Sequence, residues 1–136
     1  MALAFRFPRK SFLEARLARE CRCLKNLGCV DRDVYQVARR HKLDAAWLDA
    51  ATIQTAVGEA LRAGAPVLAN VQLRALDYYF LTRDLERVFH SVLIVGMDDD
   101  NVVVHDPDPR GGPGRSATRA KFFTAWNPTS YSAYRV

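Results

Sequence analysis

Two apolar runs joined by a short acidic turn dominate the middle of this chain. Residues 89–107 read FHSVLIVGMDDDNVVVHDP, with His90 at the start of the first run and Asp106 just after the second. Asp98 to Asn101 predicts a turn, and antiparallel pairing then brings the two polar ends together. A carboxylate beside an imidazole accepts its ring N–H and fixes the tautomer. The pattern therefore predicts a β-hairpin that carries a catalytic His–Asp pair.

Helical signals precede this hairpin. Asp31 predicts the start of a second helix that ends before Asp44, and Gly64 predicts the C-terminal end of a third helix that begins near Thr52. The first helix is predicted from a capping box at residues 11–14 and from apolar residues at helical spacing up to Gly28: Leu13, Leu17, Cys21, Leu24 and Leu27.

Strands are predicted mainly in the second half of the chain. Residues 66–73 and 89–97 are nearly continuous in apolar residues, and 102–105 completes the hairpin. Residues 117–126 indicate a short helix, and 131–136 a closing strand. Helices that come first and strands that follow favour an α+β architecture over alternating units with a parallel sheet.

The size and composition indicate one domain. At 136 residues with 49% hydrophobic content, the chain is predicted to form a single packed domain over residues 1–136. No segment approaches the roughly 18 apolar residues of a membrane span. We expect a cytoplasmic protein, or a domain excised from a larger exported or membrane-associated one.

Charge is segregated along the chain. Residues 1–43 hold 11 basic and 4 acidic residues, 110–136 hold 5 basic and none acidic, and the segment between them holds 4 basic and 11 acidic. Basic ends that fold back on the acidic middle explain this pattern, and an acidic protein partner or inhibitor is a further hypothesis. Nucleic acid is not favoured, because no glycine-rich loop, zinc-finger spacing or ribonucleoprotein motif is present.

The three cysteines, Cys21, Cys23 and Cys29, crowd one short stretch. Their odd number does not suggest a disulfide framework, so a reducing compartment is predicted. A zinc site completed by His41 is not favoured, because the C-x-C-x5-C spacing matches no common structural pattern. We therefore expect neither a metal nor another cofactor.

A His–Asp pair serves as general base for a serine, a cysteine or a water molecule. Cysteine is the natural choice here, because an adjacent imidazolium lowers a thiol pKa from about 8.5 to roughly 3.5–7.5. Cys21 is the first candidate nucleophile and Cys23 the second. A small buried hydrophobe is the alternative interpretation of Cys21, since it falls on the edge of a leucine stripe.

A family resemblance rests on four features: a cysteine on an early helix, G-x-P-V at residues 64–67, H-S-V-L-I-V-G at 90–96, and V-V-V-H-D-P at 102–107. Their order resembles papain-like cysteine peptidases of the bacteriocin-leader-processing, double-glycine peptidase-like type. The resemblance implies a papain-like α+β fold, with N-terminal helices packed on a small antiparallel sheet, and a peptide or protein substrate. It also implies that Cys21 is the nucleophile, His90 the base and Asp106 the residue that orients it.

The resemblance leaves two other functions open. The family usually places a glutamine several residues before its cysteine and a glycine directly after it, whereas here Ala15 and Arg22 occupy the positions around Cys21. A missing oxyanion donor commonly lowers the rate about 10²- to 10³-fold. A catalytically inactive domain that binds a peptide or protein partner is therefore one alternative, and a bacterial competition effector or toxin is the other.

Substrate-contacting residues in such folds come from variable loops, and residues 76–87 are the segment expected to play this part. This segment contains Tyr78, Tyr79 and Phe80. An aromatic cluster between two strands is also compatible with a place in the core.

Overall fold

The computed structural model describes residues 13–24, 28–73, 76–78, 89–108, 111–126 and 133–135. Four helices are present in this part of the chain: α1 (Glu14–Glu20), α2 (Asp31–Arg40), α3 (Ile53–Arg62) and α4 (Arg119–Ala125), with a 3-10 turn at Ala50–Thr52. The strands are β1 (Ala46–Trp47), β2 (Val67–Gln72), β3 (Phe89–Met97), β4 (Asn101–His105), β5 (Arg115–Thr118) and β6 (Ala133–Arg135). The predicted α+β class is confirmed.

The strands form one antiparallel sheet with the order β1-β6-β2-β3-β4-β5. Val71 of β2 lies opposite His90 of β3, and Leu93 of β3 lies opposite His105 of β4. The first residues of β3 therefore extend beyond the end of β4. This overhang leaves room beside His90 for the residues that follow β4.

The main core lies on one face of the sheet. Val67, Ala69 and Val71 alternate with less buried residues along β2, as expected when one face of a strand is covered. Each fully buried valine contributes roughly 1.5–3 kcal/mol of transfer free energy. The cluster joins α3 and α4 to the sheet through Val57, Ala60, Val67, Ala69, Val71, Val92, Ile94, Val102, Val104, Phe122 and Trp126.

A second, smaller cluster holds α1 and α2 to the sheet. Its buried members are Ala38, Leu43 and Ala45, and Leu17 of α1 and Leu68 of β2 pack against them. Successive side chains of a strand point to opposite faces, so Leu68 points away from the face that carries the main core. The N-terminal helices therefore contact the sheet on the opposite side from α3 and α4.

The first helix is shorter than predicted. It ends at Glu20 with Cys21 as its C-cap, whereas the apolar spacing predicted a helix up to Gly28. Arg22 has a φ of +54°, and the Cys23 N–H donates to the Ala18 carbonyl at 2.8 Å, which is the Schellman ending of a helix. The extension over Arg22 to Leu24 is therefore wrong, and the predicted cap at Ser11 lies outside the described residues.

The other predicted elements fall near their expected positions. The strands at 66–73, 89–97 and 102–105 and the second and third helices are confirmed within a few residues, and β6 lies inside the predicted closing strand. Residues 117–118 belong to β5 and not to the last helix, because they pair with β4. Of the described helices, none is long and apolar enough to cross a membrane.

Candidate functional site

His90 and Asp106 meet at the end of the β3–β4 hairpin. The Nε2 atom of His90 lies 2.7 Å from Oδ1 of Asp106. His90 shares a sheet face with Val71, its partner in the register, and Asp106 reaches it because β4 ends one residue earlier. The structure therefore brings together two of the three residues that the sequence predicted for the site.

The carboxylate of Asp106 is buried and held by further donors. Its side chain is fully inaccessible to solvent, whereas 21% of the His90 side chain is exposed. The Asp108 N–H donates to Oδ1 at 2.8 Å, and the Tyr78 hydroxyl donates to Oδ2 at 2.9 Å. A buried carboxylate without such donors would carry a large desolvation cost.

A glycine is required beside this carboxylate. A Cβ atom at Gly111 would lie 2.5 Å from Cγ and Oδ2 of Asp106, well inside van der Waals contact. The loop after β4 folds back against the Asp106 carboxylate, because the Asp106 N–H donates to the Gly112 carbonyl at 2.9 Å. The loop that follows β4 therefore encloses Asp106 tightly and keeps water from it.

The contact between His90 and Asp106 fixes the role of each ring nitrogen. A neutral imidazole that donates from Nε2 to a carboxylate has Nδ1 as its acceptor. Because the ring is partly exposed and the carboxylate is buried, a bound molecule reaches His90 but not Asp106. The pair is chemically suited to accept a proton or a hydrogen bond at Nδ1.

Cys21 lies in a different environment from this pair. Burial raises the pKa of its thiol above that of a free cysteine, and the Glu20 carboxylate raises it further. The charged groups that influence the thiol, Glu20, Asp33 and Arg40, all belong to α1 and α2. These helices contact the sheet at Leu68, on the face opposite His90.

The carboxylate beside Cys21 is itself held in place. Glu20 accepts from Arg16 at 2.9 Å and lies 2.8 Å from Nε2 of His41, which links the ends of α1 and α2. The hydrogen bond from His41, and then that from Arg16, lower the pKa of Glu20. Glu20 therefore stays negatively charged near neutral pH and disfavours a thiolate on its neighbour.

Cys23 and Cys29 are joined by a disulfide. Leu24 and Gly28 form a bridge inside this short loop, and Gly28 supports its turn with a φ of +79°. The prediction that the cysteines form no disulfide is therefore wrong, whereas the reducing compartment stays a prediction from the sequence. Cys23, the second candidate nucleophile, has no thiol while this bond is intact. Cys21 is the free cysteine.

In the described part of the chain, no three His, Cys, Asp or Glu side chains are grouped so that they could hold a metal ion. The partners of Asp106 are what sequence reasoning missed. The sequence indicates Tyr78 only as part of an aromatic cluster and assigns no role to Asp108 or Gly111. The available signals were the D-P-D spacing, which suits an aspartate that accepts from the N–H two residues later, and the paired glycines at 111–112.

The comparisons with known proteins agree with this architecture. The model of the peptidase C39-like family matches residues 18–134. A solved structure assigned as a C39-like peptidase from Bacillus anthracis has a TM-score of 0.71 at 17% identity and covers 98% of this chain and 84% of its own. The peptidase domain of Streptococcus ComA, a bi-functional ABC transporter involved in a quorum sensing pathway, has a TM-score of 0.64 at 14% identity, over 98% and 83% of the two chains. No curated protein sequence gives a significant match.

The two solved structures share the fold of this chain at low identity, and the family match spans most of its length. The double-glycine peptidase-like resemblance inferred from residues 64–107 is thereby confirmed, and the chain belongs to the peptidase C39-like family.

Proposed function

We propose that this C39-like domain binds a peptide beside His90 and that Cys21 does not act as a catalytic nucleophile. The observation that carries this proposal is the contrast between the two halves of the predicted triad. His90 and Asp106 are in hydrogen-bond contact, whereas Cys21 is buried at the C-terminal end of α1 with a raised pKa.

The position of Cys21 on its helix supports the absence of thiol catalysis. The C-terminal end of a helix carries partial negative charge, which disfavours a thiolate, whereas the N-terminal end favours one. Burial and the Glu20 carboxylate act in the same direction. Three independent effects therefore lower the thiolate fraction of Cys21 relative to a free cysteine.

Two observations support a peptide as the ligand. The ComA structure is described as a peptidase domain, and its fold covers nearly all of this chain. The His90 ring is partly exposed, and an imidazole can hydrogen-bond to the backbone of an extended peptide. Binding in this form uses the pair as a recognition element and needs no nucleophile.

Thiol-dependent peptide hydrolysis is the second candidate, and the intact His90–Asp106 pair favours it. In that reaction the Cys21 thiolate attacks the peptide carbonyl, and His90 takes the thiol proton and returns it to the leaving amine, while Asp106 holds the imidazole tautomer. Water then hydrolyses the resulting thioester, which releases the carboxylic acid and restores the Cys21 thiol. The toxin hypothesis and an acidic protein partner stay predictions from the sequence.

A peptide titration distinguishes the two candidates. Isotope-labelled protein is mixed with a synthetic leader-type peptide that contains a Gly–Gly end, and the His90 side-chain signals are followed by NMR while mass spectrometry detects cleavage. We expect saturable shifts at His90 and an intact peptide. Cleavage that disappears in both Cys21→Ala and His90→Ala would establish hydrolysis instead. Absence of any shift would contradict peptide binding.

A further inference from the structure

Both carboxylate oxygens of Asp106 take part in hydrogen bonds. His90 and the Asp108 N–H both approach Oδ1, and the Tyr78 hydroxyl approaches Oδ2 at 2.9 Å. A carboxylate turns about its last side-chain bond with little resistance, because that torsion has broad minima. A donor on Oδ2 removes this freedom and keeps Oδ1 directed at His90.

Tyr78 is well placed for this task because its own segment is anchored. The preceding Asp77 accepts from the Thr118 N–H at 2.8 Å and pairs with Lys121, which ties the segment to β5 and α4. Leu76, one residue earlier, is almost fully buried in the main core. The hydroxyl of Tyr78 is therefore fixed relative to the sheet.

The Arg115 guanidinium contacts both the Tyr78 ring and the loop that covers Asp106. The guanidinium carbon of Arg115 lies 5.9 Å from the centroid of the Tyr78 ring, within the range of a cation–π contact. Arg115 also donates from Nε to the Gly111 carbonyl, in the loop that covers Asp106. One side chain thus contacts both the tyrosine and the glycine that enclose the carboxylate.

We propose that Tyr78 is a positioning residue, which acts through Asp106 to hold the Nε2–H of His90 and so to present Nδ1 as the acceptor, and that Arg115 supports it. This inference deepens the proposed function, since it concerns the same pair. It requires neither a bound peptide nor a reactive thiol.

The Tyr78→Phe variant tests this role, with Tyr35→Phe as the matched control. Tyr35 lies on α2 and stacks on Trp47, away from the hairpin end. The measured quantity is the solvent-exchange rate of the His90 Nε2 proton in NMR spectra of the whole protein without peptide. Loss of a hydrogen bond to a carboxylate corresponds to roughly a tenfold change in an equilibrium constant. We expect about tenfold faster exchange in Tyr78→Phe and no change in Tyr35→Phe.

The exchange rates of the Val92 and Ile94 backbone amides distinguish a positioning role of Tyr78 from a general destabilisation of the sheet. A merely structural role for Tyr78 would accelerate their exchange in parallel with that of the His90 proton, and this result would overturn the proposal. An unchanged His90 rate would overturn it equally. If Tyr78→Phe does not fold, Arg115→Gln replaces it, because this variant leaves the hydroxyl in place. We expect a two- to threefold faster His90 exchange there, and an unchanged rate would count against the proposal.

Discussion

Replacement of Asp106 by alanine is expected to lower the free energy of unfolding by about 3–5 kcal/mol, the usual cost of removing one partner from a buried polar network. The His90 ring, the Tyr78 hydroxyl and the Asp108 N–H each lose the hydrogen bond to this carboxylate, and a cavity remains beside Gly111. Urea unfolding followed by circular dichroism measures the change.

Two further variants serve as comparisons for the lowered free energy of unfolding of Asp106→Ala. Asp106→Asn keeps the shape and one acceptor oxygen, so we expect a smaller cost of about 1–2 kcal/mol. Asp99→Ala removes an exposed carboxylate from the nearby turn and is expected to stay within about 0.5 kcal/mol of the wild type. Equal effects of Asp106→Ala and Asp99→Ala would show that the contacts of Asp106 do not contribute to stability.

The Gly111→Ala variant is expected to separate His90 from Asp106 and to destabilise the domain by about 1–3 kcal/mol, the usual range for overpacking. The added methyl would lie 2.5 Å from the carboxylate, so either the loop or Asp106 must move. The effect is steric, because Gly111 is not among the glycines with a positive φ. The His90 Nε2 proton signal, together with urea unfolding, reports both consequences.

Gly58→Ala is the matched control for this substitution. A Cβ there would meet the flexible end of Met97 at 3.4 Å, and the position lies inside α3. Alanine is favoured over glycine in a helix by up to about 1 kcal/mol, so we expect a neutral or stabilising effect. Destabilisation by both variants to the same extent would contradict a specific contact between Gly111 and Asp106.

The hairpin and its polar pair could be predicted from sequence because their signals are local. Apolar runs of strand length, an acidic turn and the positions of His90 and Asp106 predict which strands pair and which ends meet. The register toward His90 is shifted by an irregularity between Ile94 and Gly96, which no local pattern predicted. The end of the third helix could also be predicted from the sequence, since Gly64 marks it and adopts a φ of +74°. These elements agree with the structure because each of them depends on a short local pattern of residues.

The end of the first helix could not be predicted in this way. Arg22 and Lys42 take the left-handed conformation at the same point of the Schellman ending where α3 has glycine. Tertiary contacts stabilise them there: Arg40 donates to the Glu20 carbonyl, and Leu43 packs in the second cluster. The apolar spacing that continued to Leu27 therefore overestimated α1.

The hydrogen-bond partners of Asp106 could not be predicted from the sequence for a different reason. Tyr78 is 28 residues away in sequence and reaches the carboxylate only after β2, β3 and β5 have assembled. No local pattern distinguishes an aromatic residue that donates its hydroxyl from one that fills the core. The face of the sheet that α1 and α2 cover could not be predicted either, since it depends on how these helices pack against Leu68.

The central claim, that Cys21 is not activated by His90, is tested most directly by the pH dependence of thiol alkylation. Without reductant the Cys23–Cys29 disulfide stays closed, so iodoacetamide labels Cys21 alone. Burial and the neighbouring Glu20 carboxylate raise the pKa of Cys21, so its thiol is less ionised at pH 7 than a free thiol. Urea-unfolded protein provides the alkylation rate of the Cys21 thiol when this thiol is fully accessible to the reagent.

We predict slow labelling at pH 7, a rate that rises about tenfold per pH unit toward pH 9, and the same profile in His90→Ala. A thiol that labels rapidly below pH 7 and loses this reactivity in His90→Ala would contradict the account and assign Cys21 as the nucleophile of the pair.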